Sequence, residues 1–129
     1  MTGSAAPPDI RLARAYDLPN NVPGARVLVD RLWPRGITRA DLRLDLWARE
    51  AAPGNDLRRW FGHRPDRWAE FSTRYRAELR DRPDALAGLL ALCRRGPVTL
   101  IFGAKDRLHN QAVVLREILL EELAGTPGH

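Results

Sequence analysis

A chain of 129 residues with a hydrophobic share of 44% can bury a single core unaided, which excludes a disulfide- or metal-stapled miniprotein and a wholly disordered polymer. One cysteine, Cys93, rules out an intrachain disulfide framework and suits a reducing, cytoplasmic setting. The net charge of +5 points to acidic partners such as nucleic acid, nucleotides or phosphorylated metabolites, and no apolar run approaches the ~18 residues of a membrane span.

Residues 1–8 are rich in small residues and proline and lack the basic and apolar regions of a signal peptide, so a disordered tail is expected there. A single domain is expected over 9–124, with a frayed tail at 125–129. Ile10 to Tyr16 begins with apolar–polar alternation and reads as a strand. Asp17 to Gly24 is turn-rich and shorter than the dozen or so residues of a usual parallel crossover. The first two strands are therefore either antiparallel or joined through one helical turn. Arg26 to Leu32 is the second strand. Its run Val27-Leu28-Val29 has the continuous apolar character of a strand covered on both faces. Pro34 lacks a ladder donor and Gly36 permits a positive φ, so the strand ends there.

Thr38-Arg39-Ala40-Asp41 has capping-box spacing, and a short helix is expected to start there. Leu42, Leu44, Leu46 and Ala48 alternate with polar residues, apart from Trp47, and predict a half-buried strand. After the break at Pro53-Gly54, Asn55 to Phe61 reads as a short helix anchored by Leu57, Trp60 and Phe61 and closed by Gly62. Pro65 opens the next helix, where Trp68, Phe71, Tyr75 and Leu79 form one apolar stripe that reads as core. Pro83 opens another, with Leu86, Leu89, Leu90 and Cys93 facing inward and Gly96 at its end. The Cys93 thiol is expected to be a small buried hydrophobe. Val98 to Phe102 is a central strand, and Asn110 to Leu123 the last helix. The whole predicts an α/β fold: a small, mostly parallel sheet of about four strands flanked by helices.

Two strand-to-loop segments carry the candidate chemistry. In open α/β sheets ligands bind outside the carboxyl ends of the strands. The second strand delivers Asp30, Arg31, Trp33 and Arg35 to that edge. The last strand delivers Lys105, Asp106, Arg107, His109 and Asn110 ahead of a helix N-terminus. The two strands are expected to lie side by side, so that their loops form one site. Arg31, Arg35 and Lys105 are then anion-binding candidates, since arginine forks clamp phosphate or carboxylate. Asp30, Asp106 and His109 are acid–base candidates, and Trp33 is a stacking surface. Asn110 marks the helix N-terminus. Each has a plainer role open to it: an ion pair for Asp30, a packed corner for Trp33-Pro34, a helix cap for Asp106 or Asn110. Of the 21 basic residues only Lys105 is a lysine. No Walker loop, dinucleotide fingerprint or nucleophile elbow is present. Three scattered histidines and one buried cysteine do not make a zinc site, and no cofactor is expected.

Arg26-Val-Leu-Val-Asp-Arg-Leu-Trp-Pro-Arg-Gly36 closely resembles the signature strand and loop of the YeaO-like proteins, a branch of the family called domain of unknown function 488. Ala52-Pro53, Leu57 to Phe61, and Leu100-Ile-Phe-Gly-Ala-Lys-Asp106 followed by His109-Asn110 are similar to further segments of that family. The likeness runs from about Ile10 to Leu123. It implies a small α/β fold with a site built from these two loops, and no established reaction. Larger relatives carry a Cys-His-Arg step before the last helix, where this chain has His109-Asn110-Gln111. A thiolate mechanism is therefore not carried over, and Cys93 lies in another element. Three functions follow as expectations. The first is an enzyme or binder of a small anionic molecule. The second is a nucleic-acid module using the same loops. The third is a protein-interaction subunit without a ligand.

Overall fold

Every residue of β4 (Val98–Phe102) is buried, because this strand is covered on both faces and paired on both edges. A computed structural model describes residues 7–19 and 21–125. In it β4 lies between β1 (Ile10–Arg14) and β2 (Ala25–Leu28), and β3 (Leu46–Trp47) extends the sheet beyond β2. All pairings are parallel, in the order β1-β4-β2-β3. The helices are α1 (Arg39–Leu42), α2 (Asn55–Phe61), α3 (Trp68–Arg80), α4 (Pro83–Arg95) and α5 (Gln111–Ala124). The fold is α/β, as the sequence predicts. The expected tails lie mainly outside the described residues.

Alternation along β4 assigns the two faces of the sheet. Val98, Leu100 and Phe102 join Val27, Val29 and the apolar stripes of α2, α3, α4 and α5 in one large core. Thr99 and Ile101 point the other way, where Ile101 meets Ala15, Leu28 and Leu42. Thus the four longer helices share one face. The opposite face is closed by a single 3-10 turn at Ala15–Asp17, by α1 and by the chain around Trp33 to Leu44. Trp33 and Trp47 meet edge to face at 5.3 Å in that cover.

The open question about the first two strands resolves as parallel. They do not pair with each other, because β4 inserts between them. Gly24 permits the tight entry into β2. Its φ is +76°, and a Cβ there would sit 1.9 Å from the Pro97 carbonyl oxygen. The paired part of β2 is shorter than the predicted strand. Ladder pairing stops at Leu28, with one further bond from Val29 N–H to the Ile101 carbonyl at 3.0 Å. The predicted strand from Leu42 to Ala48 shrinks to Leu46–Trp47. The Thr38–Asp41 capping box starts α1 as expected, and Arg43, at φ +46°, ends it. Leu42 is therefore the buried residue of a helix, and its place in a period-two pattern is accidental.

Candidate functional site

Because β2 and β4 are adjacent and parallel, with Leu28 opposite Ile101, their carboxyl ends open onto the same edge. Asp30 follows β2 and turns its carboxylate toward the loop after β4. Its Oδ2 accepts from Gly103 N–H at 2.9 Å, and its Oδ1 accepts from the Gln111 side-chain amide. The Trp47 indole N–H donates to the Asp30 carbonyl at 2.8 Å and fixes the backbone there. Gly103 is what allows this approach, since a Cβ at that position would lie 2.9 Å from Asp30 Oδ2. Among the described residues no cation forms an ion pair with Asp30. Burial raises its carboxyl to about 6, and the hydrogen bonds from Gly103 and Gln111 offset only part of that.

Asp30 forms part of the wall of a cavity of about 410 Å³. Phe61 and Phe71, stacked at 4.3 Å between centroids, supply apolar wall, as do Trp33 and Tyr16. Tyr16 is 43% exposed and Leu32 61%, so the mouth carries apolar surface that faces solvent. Arg31, Arg58, Arg59 and His63 complete the lining, and Asp30 is the only acid among the described lining residues. The Arg31 Nε donates to the Pro53 carbonyl at 3.2 Å, which anchors the side chain and leaves its terminal amines for other partners. Arg59 pairs with Asp56 at 2.9 Å on the open surface. His63 holds a left-handed backbone, φ +58°, immediately after the left-handed Gly62 that caps α2.

The predicted site residues separate into two groups. Asp30, Arg31 and Trp33 line the cavity, together with Asn110. Arg35, Lys105, Asp106 and His109 are not among its lining residues. Asp106 is engaged by its own turn. It accepts from Leu108 N–H at 2.9 Å and His109 N–H at 3.0 Å, and it meets the His109 ring Nδ1 at 2.9 Å. These bonds hold its carboxyl below the usual range, led by the one from Leu108. The His109 ring also packs edge-on against Trp68. Asn110 caps α5 by accepting from Ala112 N–H at 2.9 Å and Val113 N–H at 3.3 Å. Its amide donates to the Asp106 carbonyl at 2.8 Å, so its polar atoms are committed. Trp33 gives its indole N–H to the Ile37 carbonyl and lies under the Arg39 guanidinium at 5.5 Å. Lys105 is exposed, and Arg35 is exposed with its carbonyl accepting from Tyr16 Oη at 2.8 Å.

Sequence reasoning missed Tyr16, Arg58, Arg59, His63 and Gln111 as cavity residues. For Arg58 a faint signal exists. Leu57 and Phe61 are buried at an i, i+4 spacing, so Arg58 lies beside the inward stripe. Nothing local reveals that α2 returns to the ends of β2 and β4. Gln111 is signalled by position alone, as the first residue of the helix that follows the loop. Cys93 is buried, and burial raises its thiol pKa, in keeping with a packing role. Among the described residues no group of three or more His, Cys, Asp or Glu side chains is placed to hold a metal ion. No helix among them is long and apolar enough to cross a membrane.

The model of a family described as "Inactive DUF488-N3 subclade" matches residues 9–128. The chain is 41% identical over 110 residues to the uncharacterised protein Rv3073c of Mycobacterium tuberculosis, across 85% of this chain and 92% of that one. It is 39% identical over 111 residues to the uncharacterised protein YeaO of Escherichia coli, across 86% and 96%. No solved structure matches it.

Proposed function

We propose a function for a chain that belongs to the YeaO-like DUF488 family: the strand-end cavity binds a small anionic molecule of the nucleotide or phosphorylated-metabolite class. The observation that carries this reading is the placing of one partly buried carboxylate with three arginines around a partly aromatic cavity of about 410 Å³. That volume lies in the ordinary range for small-molecule sites, and apolar walls with a few convergent polar groups are their usual make-up. Arg31 and Arg58 hold the anion, with Arg59 in support, because guanidinium forks fit phosphate and carboxylate oxygens. Arg35 and Lys105 contribute only to the field around the mouth. Asp30, raised to about 6, is the group able to give or take a proton near neutrality. Asp106 and His109 act on the loop's shape, through their mutual contact. The family's description as inactive favours binding without turnover.

The test is a thermal-shift screen of the purified chain against inorganic phosphate, nucleotides, sugar phosphates, carboxylates and short oligonucleotides. A ligand that binds the folded state raises the melting temperature by linkage. A small-molecule shift that disappears in Arg31→Ala is the expected result. Stabilisation by oligonucleotides alone, lost as salt rises, overturns it in favour of a nucleic-acid module. No shift from any ligand also overturns it.

A further inference from the structure

The cavity combines features that a simple anion site does not need. An anion alone is served by the arginines, yet the wall also carries a carboxylate with which no cation among the described residues forms an ion pair. A partly buried carboxylate is costly unless its lone pairs are used. Gly103 and Gln111 supply one hydrogen bond to each oxygen. A carboxylate has about four acceptor sites, so each oxygen retains one. A Cβ at position 103 would lie 2.9 Å from Asp30 Oδ2, so the carboxylate sits this close to the backbone because residue 103 is glycine.

Resting on the anion-binding reading of the same cavity, we infer that its ligand is bipolar: a flat head with paired N–H donors sits on Asp30, and the anionic tail reaches Arg31 and Arg58. The two remaining acceptor sites of one carboxylate match two parallel N–H donors, the pattern of an amidine-like edge such as the N1–H and 2-amino group of guanine. Phe61 and Phe71 are buried and close the inner wall of the cavity, and the exposed Tyr16 supplies open ring surface at its mouth for the flat body. An adenine edge presents a ring acceptor where guanine presents a donor, and would set it against the Asp30 oxygens. The arrangement thus selects the head by hydrogen bonding and holds the tail by charge.

Calorimetric titration separates the two parts, with guanosine monophosphate, inosine monophosphate, adenosine monophosphate, ribose 5-phosphate and phosphoethanolamine as probes. Guanosine monophosphate is expected to bind at least about tenfold tighter than the other four, the effect of leaving hydrogen-bonding groups unmatched. Asp30→Asn is expected to remove this preference without weakening ribose 5-phosphate binding, since the tail contacts are untouched and a negative charge has left the same cavity. Equal affinity for all the phosphates in the parent chain overturns the head assignment and leaves the anion site standing. Phosphoethanolamine binding as tightly as guanosine monophosphate overturns the flat-head claim. Binding of no probe overturns both readings. The parent-chain comparison needs no variant, so a folding defect in Asp30→Asn does not blur the result.

Discussion

Asp30 and Asp106 are the same residue type, each in a loop that leaves the carboxyl end of a buried strand, and their environments are opposite. Asp106 sits in a tight turn and accepts from two backbone N–H groups of that turn, which also orient His109. Its charge is stabilised locally and its carboxyl is held low. Asp30 accepts from Gly103 and Gln111, 73 and 81 residues away, inside a cavity. Burial dominates there and the carboxyl is raised to about 6. The difference shows what a strand-end aspartate does with its lone pairs. Where its own turn supplies donors, the carboxylate is structural. Where the fold supplies them from a distance, the carboxylate keeps acceptor capacity, which the proposed ligand would use.

The most forceful way to break this comparison is to remove the Asp30 charge. A carboxyl raised from 3.8 in the unfolded chain to about 6 favours folding fully below pH ~4, and that contribution is lost as pH rises through 6. Asp30→Asn is therefore expected to be more stable than the parent at pH 7.5, by on the order of 3 kcal/mol, with the gap closing near pH 4. Denaturant midpoints at the two pH values check it. A variant that is less stable at pH 7.5 would place Asp30 with the structural carboxylates. Next in size, Arg31→Ala combined with Arg58→Ala is expected to weaken phosphate-ligand binding by about tenfold to hundredfold, the scale of lost charge-assisted hydrogen bonds. Titration of both chains reads this directly.

On the structural side, Asn110→Ala is expected to cost about 1 kcal/mol or somewhat more, because it removes the cap of α5 from a buried position. Asp106→Ala should lower the melting temperature at pH 7 with the opposite pH trend to Asp30. Its carboxyl is held low, so the contribution is present above pH ~4 and lost as pH falls further. A melting profile from pH 2 to 8 distinguishes the two aspartates by slope. Lys105→Ala is expected to change stability by less than about 0.5 kcal/mol and to weaken anion affinity by less than about threefold, as an exposed charge outside the cavity lining that acts only through the screened field.

Much of the frame was legible in the chain. The unbroken apolar run Val98–Phe102 identifies a strand covered on both sides, and it is the central one. Proline and glycine punctuation places α2, α3 and α4 closely, as at Pro83 and Gly62. The expected side-by-side placing of β2 and β4, and so the meeting of their loops, is what the parallel pairing of Leu28 with Ile101 shows. Two things were not legible. Leu42 to Ala48 fits a strand pattern, but the capping box and the left-handed Arg43 divert the first residues into α1. In the site, Tyr16, Arg58 with His63, and Gln111 come from three separate segments that only the tertiary fold gathers. A local reading favoured Lys105, Asp106 and His109 because they stand next to a strand. Whether a side chain turns into a cavity or closes its own turn depends on donors that chain distance hides.

The central claim is that one cavity at the ends of β2 and β4 is the place where ligand binds. Backbone amide chemical-shift mapping by nuclear magnetic resonance, titrating guanosine monophosphate and, separately, inorganic phosphate, tests it most directly. Shifts are expected to concentrate at Arg31 to Trp33, Gly62-His63, Gly103-Ala104 and Gln111, with Lys105 to Leu108 little moved. Shifts gathered instead on the α3, α4 and α5 surface around Arg80, Leu90 and Arg94, or no shifts at all, would contradict it.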